Sequence, residues 1–269
     1  MKFEKPSYID KFQNFSADVQ LNSGESIIVY TIAETITDEE KNAWAKHILY
    51  HYISEEGIEK GVKATKNSRA EYIKNYVLPS IELRNGSEVS CAFGEIVFSD
   101  FIEYVLNYDV PRFKMYDTYP GNPNQGIDIV AYRKNQENPD KDIILFAEIK
   151  ARLSCKDFHR LQEAINDAEK RTDEMCAVSL DFARRKLESM GNDDTARDIA
   201  RFADSEMPCI RKKSAGLITS ATSCDSNDFL SHDGFVGVNI KKGEQIESHV
   251  IFAKDLMCLA KELWERACL

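Results

Sequence analysis

The chain has 269 residues, 43% hydrophobic and 30% charged, enough apolar material for one large domain or a domain with an appendage, which excludes disorder as its main state. Lys and Arg number 35 against 45 Asp and Glu, and the formal net charge of -10 excludes a chain that gathers nucleic acid through its overall field. A local basic groove, a carboxylate-rich metal site or a partner that carries the nucleic acid is compatible with that total. No apolar run reaches the roughly 18 residues of a membrane span, and Met1–Asp10 is too charged for a signal peptide, so a soluble cytoplasmic protein is expected. The 7 cysteines are scattered without the close spacing of a zinc or redox motif and are read as reduced thiols.

The run Ser26–Ile32 is β-branched and aromatic, follows the turn signal Asn22-Ser23-Gly24, and predicts a strand. Thr37 with Glu40 three residues later makes a capping box, and the helix it opens is expected to run through Trp44, Ile48 and Tyr52 to Gly57. A second helix is expected from Ser68 to Leu78, stopped by Pro79. After Asn85-Gly86-Ser87, the positions Val89, Ala92, Phe93, Ile96, Val97, Val105 and Leu106 recur at helical spacing. Three strand-like runs follow, Arg112–Thr118, Ile127–Tyr132 and Ile143–Ile149, the last two joined by a polar link that suits an antiparallel hairpin. A helical region from Lys156 to Ser205, broken at Gly191-Asn192, precedes strands at Ala215–Ala221 and His249–Phe252 and a closing helix, Leu256–Ala267. Residues 1–84 are read as an N-terminal accessory region, and 85–269 as the core with a C-terminal strand and helix.

The chemistry concentrates on two of these runs. Asp128 follows Gly126 and opens one apolar strand, while Glu148 and Lys150 end another. Residues two apart on a strand share a face, so Glu148 and Lys150 emerge together and Ile149 points away. If the strands pair, Asp128 sits opposite, and two carboxylates and an ammonium converge at the edge of an apolar sheet. Isolated charges are costly there unless they serve a metal or one another. Mg²⁺ suits hard carboxylate oxygens, with Mn²⁺ as a substitute, and activates water against a phosphodiester. Asp128 and Glu148 would hold it, the Ile149 carbonyl would add a ligand, and Lys150 would orient the attacking water or stabilise developing charge.

Gly126-Ile127-Asp128 and Phe146-Ala147-Glu148-Ile149-Lys150, preceded by Phe93-Gly94-Glu95-Ile96-Val97, resemble the PD-(D/E)xK nuclease superfamily pattern, with Ile127 where the name has Pro. That resemblance covers about Ser87 to Ala221. In length, in the Phe-Gly-Glu-Ile helix and in the order of its pieces, the whole chain more narrowly resembles the HamA family, nuclease subunits of the Hachiman anti-phage defence system. The resemblance implies an α/β fold with a restriction-endonuclease-like mixed central sheet flanked by helices and an N-terminal strand/helix extension. It also implies a first-helix ligand, Glu95, and cleavage of DNA under the control of a helicase-like ATPase. The competing readings are a catalytically silent binding or scaffold module and a nuclease that acts on RNA.

Other residues invite function less strongly. Glu103 is the reserve for Glu95, and Gln162 is read as a polar residue on an exposed helix face. His47 and His51, at i,i+4 spacing, could share an ion, but no third ligand is evident and they are read as surface histidines. Arg211, Lys212 and Lys213, placed just before the strand expected beside Glu148, are the better DNA or phosphate contact, ahead of Arg184-Arg185-Lys186. The early helices, Asp38–Leu78, and the last one are the expected docking surfaces for a partner.

Overall fold

The computed structural model describes residues 4–14, 19–21, 26–33, 35–80, 87–113, 126–204, 206–221, 235, 238–241 and 243–269. Seven strands form one mixed sheet: β1 (Phe12–Asn14), β2 (Val19–Gln20), β3 (Ser26–Ile32), β4 (Ile129–Arg133), β5 (Ile143–Arg152), β6 (Ile210–Ala221) and β7 (Ile246–Lys254). Their order is β1-β3-β7-β6-β5-β4, with β2 paired to β3 off this path. The pairs β3–β7, β7–β6 and β6–β5 are parallel; β4–β5, β1–β3 and β2–β3 are antiparallel. The expected β4–β5 hairpin is present. The parallel step from β5 to β6 needs a long crossover, and three helices supply it: α5 (His159–Lys170), α6 (Asp173–Ser189) and α7 (Asp193–Ala203).

Helices cover both faces, so the central strands are apolar on both sides rather than alternating. On one face, Leu145, Ala147, Ile149, Ile218 and Ile251 join residues of α1 (Asp38–Tyr50), α4 (Ser87–Asp100, continued by a π-helical turn Phe101–Val105) and α8 (Leu256–Ala267). On the other, α5 packs over β6, β7 and β3 through Leu161, Ala164 and Ile165, and α6 and α7 cover Val130, Ile144 and Phe146. Tyr8 stacks on Trp44 at 3.8 Å between ring centroids, and both are fully buried, each side chain worth roughly 2–3 kcal/mol of apolar burial.

The local rules account for most element starts. Thr37 accepts from the Glu40 backbone and Glu40 returns the bond, as the capping box predicts, but α1 ends at Tyr50 rather than Gly57. The reason is Ser54, which accepts from the Gly57 N–H and starts a separate helix, α2 (Glu55–Thr65). Ser68 and Glu71 make a second capping box for α3 (Arg69–Tyr72), which continues as a π-helical turn to Val77 before Pro79. The 156–205 region breaks at Gly191 as expected and also before Asp173, where Thr172 caps α6. Arg112 and Phe113 are not in a strand; the rest of that expected run lies outside the described residues, as do Asn22-Ser23-Gly24 and Asn85-Gly86. Among the described residues no helix is long and apolar enough to cross a membrane.

Candidate active site at the end of the β4–β5 pair

The hairpin register pairs Ile129 with Ala147. One step further along, where β4 has not yet begun, Asp128 stands opposite Glu148. Asp128 Oδ2 accepts from the Ile149 N–H at 2.8 Å, so its side chain takes a ladder position and is fixed to the strand that carries the other two groups. An extended residue sends its N–H and C=O to the same edge, so the Ile149 carbonyl also points to this open end. Glu148 and Lys150 continue the face of Ile144 and Phe146, under α5 and α6. Gly126 holds φ at +128°, a backbone that L side chains rarely adopt, and lets the chain turn sharply into Asp128.

Glu148 is 4% exposed, and burial, with the Asp128 carboxylate beside it, pushes its pKa up to about 7 against the opposing pull of Arg171. Arg171 Nε donates to Glu148 Oε1 at 2.7 Å, and its Nη2 donates to the Gly126 carbonyl at 2.9 Å. Lys150 Nζ lies 2.7 Å from Asp167 Oδ2; burial works against that ammonium, but Asp167, then Asp128 and Glu148, raise its pKa overall. Asp167 and Arg171 come from the end of α5 and escaped the sequence reading. Their i,i+4 spacing on the helix after Lys150 is the signal that was available.

Glu95 lies on α4, which covers the opposite face of the sheet. A Cβ on Gly94 would meet the Ala151 Cβ at 2.7 Å, so α4 lies against β5 beside Lys150, closer than any side chain at that position would allow. The Cys91 thiol, one turn before Glu95, has its pKa raised by burial, then by Glu95 and Asp128, while Lys150 and Arg160 lower it. The Cys91 thiol is therefore within electrostatic range of both Glu95 and Asp128.

The basic triplet is elsewhere. β6 begins at Ile210, not Ala215, so Arg211, Lys212 and Lys213 lie within the strand, beside Ile144, Leu145 and Phe146. At about 3.3 Å per residue, Lys213 is some two residues and Arg211 four residues short of the level of Glu148, roughly 7 to 13 Å back along the sheet. Arg211 donates to the Phe202 carbonyl at 3.1 Å, Lys212 pairs with Glu247 at 2.5 Å, and Lys213 with Glu244 at 3.2 Å. Arg184 is likewise paired with Asp181 and Glu188 on α6. Gln162 exchanges hydrogen bonds with the Asn239 backbone, at 2.7 and 3.0 Å.

A second charged cluster corrects the reading of the histidines. His47 and His51 are 8% and 7% exposed, not on the surface, and Asp100 at the end of α4 is the third group. Their ligand atoms lie within 4.8 Å of one another, close enough to hold a metal ion. His47 Nε2 is 2.9 Å from Asp100 Oδ2 and 3.0 Å from His51 Nε2, and Tyr8 donates to Asp100 Oδ2. The chain also brings its own cation: Arg112 donates to Asp100 Oδ1 at 2.6 Å and to Glu103 Oε2 at 2.5 Å, and its Nη1 is 3.2 Å from His51 Nε2. Glu103, the reserve for Glu95, is thus committed to this network. Burial disfavours the Asp100 carboxylate, but Arg112, then His47, hold its pKa well below the usual range. Burial and Arg112 push the His51 pKa well down.

The HamA family model matches residues 6–252. The chain belongs to the HamA family. The match spans the N-terminal strands, the hairpin that carries Asp128, Glu148 and Lys150, and most of β7. No curated protein matches the sequence.

Proposed function

We propose that this HamA-family chain is a metal-dependent DNA nuclease of the PD-(D/E)xK type, the effector of a Hachiman anti-phage system under the control of a helicase-like ATPase. One observation carries the reading: Glu148 is buried opposite Asp128 at the end of the hairpin, and burial and that second carboxylate push its pKa up to about 7 against Arg171 and Lys150, so a further cation would favour both carboxylates in their charged form. A hard divalent cation fits that demand, because the donors are carboxylate oxygens with a backbone carbonyl at the same edge. Asp128 and Glu148 would hold Mg²⁺ or Mn²⁺, with the Ile149 carbonyl and Glu95 completing the protein's share. When bound, such an ion lowers the pKa of a water and offsets charge on the phosphoryl oxygens.

The remaining work falls to the chain itself. Lys150, on the same strand face as Glu148, places its ammonium where it can orient the attacking water or bind a phosphate oxygen as negative charge grows.

A partner is favoured by charge. With a net charge of -10 and the 211–213 triplet already committed to Phe202, Glu247 and Glu244, this chain has little long-range attraction for DNA. Incubating the purified chain, alone and with whatever co-purifies from its host, with DNA or RNA and Mg²⁺ tests both claims, using Asp128→Ala as control. Mg²⁺-dependent cleavage of DNA that EDTA or Ca²⁺ suppresses and Asp128→Ala lacks is expected. Full activity in excess EDTA would rule the mechanism out, and tight, salt-resistant DNA binding by the isolated chain would remove the argument for a partner.

A further inference from the structure

We propose that Asp167 and Arg171, one turn apart at the C-terminal end of α5, form a counter-ion clamp on the active site: Arg171 is the cation that a divalent metal displaces from Glu148, and Asp167 is the positioning residue for Lys150. The inference deepens the nuclease reading and rests on it. An i,i+4 pair projects from one face of a helix over a rise of about 6 Å, and Glu148 and Lys150 are separated by two strand residues, roughly 6.6 Å. The two repeats match, so Asp167 on α5 and Arg171, its C-cap, each meet one strand residue of opposite charge: Arg171 Nε with Glu148 Oε1 at 2.7 Å, and Asp167 Oδ2 with Lys150 Nζ at 2.7 Å.

The two halves of the clamp act differently. Arg171 sits on one oxygen of the carboxylate that would hold the metal, and a guanidinium and a divalent ion brought together on that one carboxylate repel each other strongly. Displaced, Arg171 keeps its Nη2 bond to the Gly126 carbonyl as a pivot, two residues from Asp128, and its planar fork suits a phosphate oxygen of the incoming strand. Asp167 also holds Lys170, at 3.0 Å, so it stays paired when Lys150 turns toward substrate. It sets where the Lys150 ammonium waits, without touching the reacting atoms.

Arg171 should therefore affect metal and substrate with opposite sign, which a residue that only supports the fold would not do. The experiment is Mn²⁺ binding by calorimetry and electron paramagnetic resonance on the full chain, wild type and the variants Arg171→Gln, Asp167→Asn and Asp128→Ala. Circular dichroism checks each fold, and single-turnover DNA cleavage is measured in the complex where the chain works with a partner. Arg171→Gln should bind Mn²⁺ about three- to tenfold tighter and cleave at least about tenfold slower at saturating metal. Asp167→Asn should leave Mn²⁺ affinity within about twofold while slowing cleavage about tenfold, with partial recovery in Asp167→Glu. Unchanged or weaker Mn²⁺ binding by Arg171→Gln overturns the displacement, and wild-type cleavage by Asp167→Asn overturns the positioning role. If wild type binds Mn²⁺ and Asp128→Ala does not, either failure leaves the nuclease reading standing. If wild type binds no Mn²⁺, both fall.

Discussion

Among the described residues, two buried carboxylate clusters lie on opposite faces of one sheet, and their charges are balanced in opposite ways. Around Asp100 the chain supplies Tyr8, His47 and Arg112 as donors, and the carboxylate is held well below its ordinary pKa. Around Glu148 it supplies Arg171 and, on the same strand face, Lys150, but burial and a second carboxylate outweigh them and the pKa rises to about 7. In the first cluster the chain's own cation outweighs the cost of burial; in the second, burial and the neighbouring carboxylate outweigh the chain's cations. A carboxylate whose charge the chain does not fully offset, at an open strand end, is a place for something from outside, whereas a saturated one between helices ties α1 to α4. Both contain plausible metal ligands, so ligand type alone does not separate them.

The largest expected effect breaks the open cluster. Asp128→Asn, Glu148→Gln and Lys150→Ala should each lower Mg²⁺-dependent cleavage by at least about 10³-fold, roughly 4 kcal/mol of transition-state stabilisation, with circular dichroism unchanged. Wild-type turnover in either carboxylate variant would sink the assignment. Next comes the closed cluster: Asp100→Ala takes the shared acceptor from Tyr8, His47 and Arg112, leaving Arg112 with Glu103, and should cost about 3–5 kcal/mol in urea unfolding. A loss under about 1 kcal/mol would show that the network contributes little to stability.

The sharper contrast is one of sign. Glu148 is protonated more readily in the folded chain than in the unfolded one, so between pH 4.5 and about 7 the unfolded state releases its proton first and stability falls as pH rises. Glu148→Gln should remove that fall and stabilise the chain by about 2 kcal/mol at pH 8 in EDTA, where Asp100→Ala destabilises it. A destabilised Glu148→Gln would mean that the site is not short of positive charge.

The smallest effect concerns a buried group with neither arrangement. Both ring nitrogens of His249 lack a hydrogen-bond partner among the described residues, and burial lowers its pKa to about 4. Below pH 6.5 the unfolded imidazole gains a proton that the folded one refuses, so stability falls as pH drops from 6.5 toward 4. His249→Phe should recover about 1 kcal/mol at pH 5.5 relative to its effect at pH 7.5. Equal effects at the two pH values would show that His249 is reached by water.

Much of the architecture could be read from neighbouring residues alone. The capping box at Thr37, the hairpin between Ile129 and Ile143, the break at Gly191 and the bounds of α8 all follow from rules that span a few positions. Strand alternation, equally local, puts Glu148 and Lys150 on one face, and the hairpin then brings Asp128 opposite. The same rules were available at Ser54 and Thr172, where caps divide segments expected to be continuous. What only the tertiary structure decided is which charges meet. His47 looks like a surface residue until Asp100, 53 positions away, and Arg112 close over it. Arg211–Lys213 are expected just ahead of a strand, and only the sheet places them inside β6, beside Phe202, Glu247 and Glu244. Arg171 is one of many surface-type cations until α5 lays it on Glu148. Periodicity and capping act through bonds and turns of fixed length, so a short stretch of sequence determines them. The pairing of charges depends on which helix covers which strand and how much water is excluded there, and both arise only when the whole sheet has closed.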